Sequence, residues 1–406
     1  MKILMVSDVY FPRVNGVSTS IQTFRRELAA LRHEVDLIAP AYAASYAEDS
    51  RTLRVASRVV PLDPEDRMMK VRAIRALLPQ LREGRYDLVH VQTPFVAHYL
   101  GIEIADALGV PRVETYHTFF EEYLFHYVPA LPKAVLRALS RRFSRKQCNC
   151  MNALIVPSSP MRDKLAQYGV RVPMHVIPTG IPMAEFSAGN GDVFRIRHGI
   201  EKSRPMLLFV GRVAYEKNIR FLLGALELAL AHIPDLLLTI AGEGPALKSL
   251  KKMAVERNLQ EHVLFVGYLD RRGALLDCYR AADAFVFASR TETQGLVLLE
   301  AMALGVPVIS TAVMGTRDIV GAKRGALVPE DNEADFARNI VKLLSDTALR
   351  AHLGAEGRAY AAEWNAGALA RRLADAYQEV VRTSNRISPA PDGRAQGASP
   401  AKVAIR

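Results

Sequence analysis

Four short stretches of this 406-residue sequence combine residue types able to hold and turn over an anionic ligand. GRVAYEKN, residues 211–218, brings Arg212 and Lys217 together directly after an apolar run and Gly211. A guanidinium fork and a compact ammonium at the end of a strand can clamp a diphosphate. The adjacent Glu216 is expected to orient one of the two cations. In RTETQGLVLLEAMALGVPVIS, residues 290–310, Glu292 sits in a turn, Gly295 and Leu296 open a helix, Glu300 falls near its second turn and Gly305 closes it. The free N–H groups of that helix start suit an anion. From Gly295 to Glu300 a helix rises roughly 7 to 8 Å, a span comparable to a diphosphate, so one carboxylate can meet sugar hydroxyls and the other a ribose. Two glutamates eight residues apart also arise by chance, and the helix start is what gives the pair meaning.

The other two stretches also follow expected strands. SDVYFPRVNGVSTSIQTF, residues 7–24, sets Asn15 and Gly16 before a helix expected to begin near Ser18. Gly16 either admits phosphate oxygens to the helix N-terminus or is a plain turn glycine, and the absence of GxGxxG argues against a dinucleotide site. ETYHTFFEEYLFHYVP, residues 114–129, gathers His117, His126, Tyr116, Phe119, Tyr123 and two adjacent glutamates. Aromatic faces beside carboxylates suit a sugar or the neck of a lipid, and the alternative is an aromatic core. The gap between the two histidines does not suit a metal site.

These loops need a scaffold that presents strand ends to a ligand. Short β-rich runs alternate with helical patterns along the whole chain, the signature of parallel strands joined by crossover helices. Strands are expected at residues 2–7, 34–40, 87–92, 112–117 and 153–158, with helices at 20–31, 69–82 and 95–108. The rhythm restarts with strands at 206–211, 236–242, 263–267, 284–289 and 306–311. The expected fold class is α/β: two facing Rossmann-like, doubly wound domains, 1–188 and 189–382, with a cleft between them, the last helix returning to the first domain, and a flexible tail at 383–406. In open α/β sheets ligands collect at the carboxyl ends of the strands.

Composition fits that picture. Half of the residues are hydrophobic and 23% are charged, which excludes wholesale disorder. The opening MKILMV is too short for a signal-peptide core, and no stretch approaches the roughly 18 apolar residues of a membrane span, so a cytoplasmic protein is expected. Three cysteines fit neither a disulfide framework nor a zinc knuckle. The net charge of +11 is concentrated in residues 1–200, with 26 basic and 19 acidic residues against 27 and 23 in the remainder. Six basic residues, Lys133, Arg137, Arg141, Arg142, Arg145 and Lys146, fall in one segment without an acidic residue, interleaved with Val135, Leu136, Leu139 and Phe143 at helical spacing. Such a helix lies on an anionic membrane surface, or packs on its own domain through the same apolar stripe.

In this order the loops resemble the retaining family 4 glycosyltransferases with the GT-B fold, over nearly all of residues 1–382. The most specific element is Glu292-x7-Glu300 in TETQGLVLLEAMALGVPV; Gly211, Arg212, Glu216, Lys217 and Asn218 supply a second motif, and AGEGP (241–245) and VGYL (266–269) further ones. TYHTFFEEYLFHY with ETQGL looks like the branch that glycosylates membrane lipids, including diacylglycerol. The resemblance implies that Gly16 meets the diphosphate or acceptor, His117 the reacting sugar, Arg212 and Lys217 the diphosphate, Glu292 the hexose and Glu300 the ribose, with Gly267 and Tyr268 bordering the base and Gly211, Gly295 and Leu296 completing the donor site. Gln92 stands where the family often has a second histidine. A nucleotide sugar, UDP-glucose by preference, is the implied donor. A membrane lipid or glycan is the implied acceptor, reached by peripheral association with the inner face of the cell membrane.

The sequence lacks an Asp-x-Asp motif, and cations can replace a metal at the diphosphate, so neither metal nor cofactor is expected. A GDP-mannose-dependent mannosyltransferase is the main rival, and a nucleotide-sugar isomerase a distant one. A nucleic-acid-binding protein is disfavoured because the basic residues accompany no recognised binding module.

Overall fold

All ten expected strands are present, and they form two separate parallel sheets. The computed structural model describes residues 1–42, 50–60, 63–119, 133–271 and 273–387. In the first domain β1 (Lys2–Val6), β2 (Glu34–Pro40), β3 (Thr52–Val55), β6 (Leu88–Val91), β7 (Arg112–Thr115), β8 (Ala153–Val156) and β9 (Met174–Val176) run in the order β3-β2-β1-β6-β7-β8-β9. The second sheet is built from β10 (Met206–Val210), β11 (Leu237–Ala241), β12 (Val263–Gly267), β13 (Ala284–Phe287), β14 (Val308–Ser310) and β15 (Ala326–Leu327), ordered β12-β11-β10-β13-β14-β15. Both orders reverse at one strand, β1 in the first sheet and β10 in the second. Crevices therefore open beyond β1/β6 and beyond β10/β13.

The strands are continuous apolar runs because both faces are covered: β6, β8, β10, β11 and β13 are buried along their whole length. Alternation sorts the first sheet into two cores. Leu4, Val6, Val89 and Leu154 face one side, and Ile3, Met5, Leu88 and Ile155 the other. The second core is completed from the far end of the chain. The helix Ala366–Ile387 lays Leu369, Leu373, Tyr377 and Val380 against Ile3, Met5, Ile21 and Leu28. Its Tyr377 hydroxyl lies 2.5 Å from His90 Nδ1 on β6, whose other nitrogen meets Thr115 Oγ1 at 2.7 Å.

Three local expectations are corrected. The stretch 69–82 is not one helix: Met69 ends β5 (Asp63–Met69), which pairs antiparallel with β4 (Ser57–Val60), and short helices Val71–Arg75 and Leu78–Glu83 follow. Pro79 within the second explains the break, because it lacks an N–H to continue the ladder. The first helix begins at Gly16, capped by the Asn15 side chain accepting from Ser18 N–H at 2.8 Å. The closing helix continues through Ile387, past the expected start of the tail, and 388–406 lie outside the described residues. No described helix is long and apolar enough to cross a membrane.

Asp8, just after β1, fastens the first crevice. Its carboxylate accepts from the Thr93 hydroxyl at 2.8 Å and from Ala97 N–H at 3.1 Å, holding the start of the helix Val96–Leu108. Burial pushes this carboxyl up from 3.8 to about 6. The folded chain therefore binds the proton more tightly than the unfolded chain, and the contribution of Asp8 to stability falls as pH rises through that window, by about 3 kcal/mol in all. Asp8→Asn keeps an acceptor and removes the titration. Its stability relative to the parent, read from urea midpoints, is expected to rise by about 2 kcal/mol between about pH 4 and pH 7; a pH-independent difference would contradict this.

Candidate active site

The two crevices meet in a cavity of about 380 Å³ walled by both domains, within the size range of small-ligand sites. Gly16 and His117 line it from the first domain, and Gly211, Arg212, Glu216, Lys217, Tyr268, Glu292, Gly295, Leu296 and Glu300 from the second. Two glycines shape the second-domain wall. A Cβ on Gly242 would lie 1.9 Å from the Gly211 carbonyl oxygen, so AGEGP packs edge to edge with the loop carrying Arg212. Gly295 turns with φ 97° into the helix Leu296–Ala303, whose opening residues Leu296 and Val297 line the cavity. At Gly16 the space a Cβ would occupy is open.

The two glutamates of the motif each hold a cation. Lys217 Nζ donates to Glu292 Oε1 at 2.5 Å, joining the loops after β10 and β13. Arg271 Nη2 donates to Glu300 Oε1 at 2.5 Å, and the Tyr279 hydroxyl donates to Glu300 Oε2 at 3.0 Å. Glu216 does not orient Lys217, whose carboxylate partner is Glu292; the Glu216 carbonyl instead receives the hydroxyls of Ser289 and Thr291, both at 3.4 Å. His117 Nε2 lies 3.2 Å from Gln92 Oε1. Burial pushes its pKa down to about 4, so the imidazole is neutral near pH 7. By donating Nε2–H to Gln92 it keeps Nδ1 as an acceptor.

Residues that sequence reasoning passed over hold the walls together. Gln294 accepts from Thr179 N–H and donates to the Thr179 carbonyl, each at 2.8 Å. The Thr293 hydroxyl reaches the His117 carbonyl at 3.3 Å, and the Thr293 carbonyl receives the Ser158 hydroxyl at 2.7 Å. Arg13 donates to the Tyr268 hydroxyl at 2.9 Å across the cleft. Nothing in the spacing of TETQGL marks Thr293 and Gln294, because their partners come from the other domain.

Other expected site residues stand elsewhere. Gly267 does not line the cavity; its carbonyl receives the Gly242 N–H at 2.8 Å. Tyr116 and Phe119 are core residues of the first domain rather than acceptor surface, and the Tyr116 hydroxyl meets Ser144 Oγ at 2.9 Å. Tyr123 and most of the aromatic loop lie outside the described residues. The basic segment forms the helix Lys133–Cys148, away from the cavity, with Arg137, Arg141, Arg142, Arg145 and Lys146 exposed. Arg141 also stands 5.5 Å from the ring centre of Tyr168.

The family models for glycosyl transferases group 1 and for glycosyltransferase family 4 match residues 192–360 and 14–185. An alpha-monoglucosyldiacylglycerol synthase of Streptococcus pneumoniae is 34% identical over 371 residues, covering 85% of this chain and 83% of that protein. The chain belongs to the GT-B glycosyltransferases of group 1 and family 4. A GDP-mannose-dependent alpha-mannosyltransferase of Mycolicibacterium smegmatis is 30% identical to this glycosyltransferase over 94% of the chain and 96% of its own length. Sucrose-phosphate synthase of Thermosynechococcus elongatus shares the fold, with a TM-score of 0.74 at 24% identity, over 94% of this chain and 99% of that one.

Both members of the Lys217–Glu292 pair face the cavity, the candidate site of group transfer in the glycosyltransferase. Lys217→Ala and Glu292→Ala are each expected to lower turnover by about 100-fold or more, the scale of removing one electrostatic stabiliser. Near-parental rates in either variant, with an unchanged thermal transition, would remove the pair from the catalytic machinery.

Proposed function

We propose that the protein is a retaining glucosyltransferase that moves glucose from UDP-glucose to a hydroxyl of diacylglycerol without a divalent metal. The observation that carries the acceptor is the likeness along most of the chain to a protein named for making monoglucosyldiacylglycerol. The cavity supplies chemistry in keeping with it. A departing nucleoside diphosphate gathers negative charge, which Arg212, Lys217 and the helix start at Gly295 oppose. The neutral His117 offers an acceptor to a sugar hydroxyl. In a retaining transfer the incoming hydroxyl attacks from the face the phosphate leaves, the C1–O bond to phosphate breaks as the new C1–O bond forms, and the departing phosphate takes the hydroxyl proton. No protein base is needed for that exchange.

A second reading, transfer of mannose from GDP-mannose, rests on the likeness to the mycobacterial mannosyltransferase. Incubation with UDP- and GDP-hexoses on diacylglycerol vesicles, with and without chelator, distinguishes the two by product mass. Monoglucosyldiacylglycerol from UDP-glucose, formed equally with chelator, is expected. Product only from GDP-mannose, or activity that chelator abolishes and magnesium or manganese restores, would overturn the corresponding part of the reading.

The helix Lys133–Cys148 gives the route to a lipid acceptor. It packs on its domain through Leu136, Ser140, Ser144, Gln147 and Cys148, all buried. Val135, Leu139 and Phe143 are 44%, 52% and 37% exposed, so most of the apolar stripe faces outward beside the arginines. This arrangement suits an anionic bilayer, with each basic residue near the surface contributing about 1 kcal/mol. Co-sedimentation with vesicles is expected to rise with anionic lipid, fall with salt, and drop sharply on Arg142→Glu/Arg145→Glu. Binding indifferent to lipid charge and salt would refute membrane docking by this helix.

A further inference from the structure

A buried polar column stands behind His117, on the face of the first sheet that the closing helix covers. Along β6 and just past it the side chains on this face are Leu88, His90 and Gln92; along β7 and just past it they are Val113, Thr115 and His117. The parallel register sets His90 opposite Val113, so Thr115 and His117 each lie one step further toward the carboxyl ends of the strands and the cavity. His90, Gln92 and Thr115 are almost fully buried, and so is Tyr377 of the closing helix.

Hydrogen bonds join these groups in sequence from the helix to the cavity. The Tyr377 hydroxyl lies 2.5 Å from His90 Nδ1, and His90 Nε2 lies 2.7 Å from Thr115 Oγ1. The Thr115 carbonyl then accepts the His117 N–H at 3.1 Å, and the His117 ring meets Gln92 at 3.2 Å. Burial, with a smaller repulsion from His117, pushes the His90 imidazole down to about 3, so it is neutral near pH 7. A neutral imidazole has one donor and one acceptor nitrogen, so one flanking hydroxyl donates to the ring and the other accepts from it. The rings of His90 and Tyr377 also pack edge to face, 5.5 Å between centres.

Stability alone does not call for such a column. Apolar side chains of the same shape would seal this face about as well, since a buried hydrogen-bonded set contributes little net free energy, whereas losing one member leaves its partner desolvated and unpaired. What the polar set adds is a fixed geometry, and it ends at the imidazole that faces the cavity. We propose that Tyr377, His90 and Thr115 are positioning residues for His117, so that the closing helix holds the imidazole of the first domain from behind through two side-chain hydrogen bonds and the turn at the end of β7. This rests on the proposed function, in which His117 meets the reacting sugar, and goes beyond it by giving the last helix a part in setting the site.

Variants that remove one hydroxyl and keep the shape of the core test the assignment. Tyr377→Phe and Thr115→Val are each expected to lower transfer from UDP-glucose about tenfold, the scale of one hydrogen bond lost from a buried network. Thr115→Ser, which keeps the hydroxyl, should restore most of the rate. In a His117→Ala background neither Tyr377→Phe nor Thr115→Val should cost anything further, because the group they position is gone. In NMR spectra of the imidazole nitrogens, His117 of the parent should carry its proton on Nε2, and Tyr377→Phe should add a second set of His117 signals.

Losses that persist in full in the His117→Ala background would mark a purely structural role and overturn the proposal, as would a parental rate in Tyr377→Phe or unchanged His117 signals; all three leave the sugar-transfer reading intact. A parental rate in His117→Ala would remove the imidazole from the reaction and the proposal with it. A parent that transfers no hexose would overturn the proposed function, and the NMR comparison alone would then decide whether the column holds the ring.

Discussion

The cleft depends on one buried amide. Gln294 pairs donor to acceptor and acceptor to donor with the backbone of Thr179, and both residues are almost fully enclosed. Within such an environment a lost partner leaves a desolvated polar group unpaired, so the reciprocal pair strongly favours one register between the domains. The neighbouring Thr293 extends the clamp to the ends of β7 and β8 through His117 and Ser158. Behind it, Gly315 donates to the Glu292 carbonyl at 2.9 Å and lies so close to Thr293 that a side chain there would collide with its carbonyl. A dipeptide between the glutamates thus fixes the distance from the imidazole of one domain to the carboxylate of the other.

On that frame the charges are organised in pairs. A cavity meant for an anion would be expected to present bare cations, yet Lys217 is tied to a carboxylate. The pairing has a physical use. Lysine and arginine side chains lose considerable rotamer entropy when they are ordered, and a carboxylate partner supplies that ordering before any ligand arrives. The eight-residue interval from Glu292 to Glu300 spaces two such anchors along one turn and helix, and Gly295 between them supplies the left-handed turn that starts the helix.

Much of this was legible in the sequence, for physical reasons that differ by element. The central strands are buried on both faces and so read as unbroken apolar runs. Edge elements do not: β3 and β4 carry arginines, DPEDRMM in β5 reads as a turn, and β9 and β15 are too short for any pattern to register. Loops carrying Arg212, Lys217, Glu292 and Glu300 were found because glycine and charge at a strand end are local signals. Arg271 and Gln294 were not, since they acquire meaning only from Glu300 and Thr179, far away in the chain. The stripe Val135, Leu139 and Phe143 was visible as a pattern, but its outward direction was set by Ser140 and Ser144, two small polar residues on the buried face that hydropathy alone would have turned to solvent.

The return of the closing helix to the first domain has a bearing on how the molecule is made. One face of the first sheet, carrying Ile3, Met5 and Leu88, is sealed by Leu369, Leu373 and Tyr377, the last major element of the described chain. During synthesis the second domain has all its strands before that helix leaves the ribosome, whereas the domain translated first still presents an open apolar face. The order of completion thus runs opposite to the order of translation, because this core of the first domain is complete only when the final helix docks.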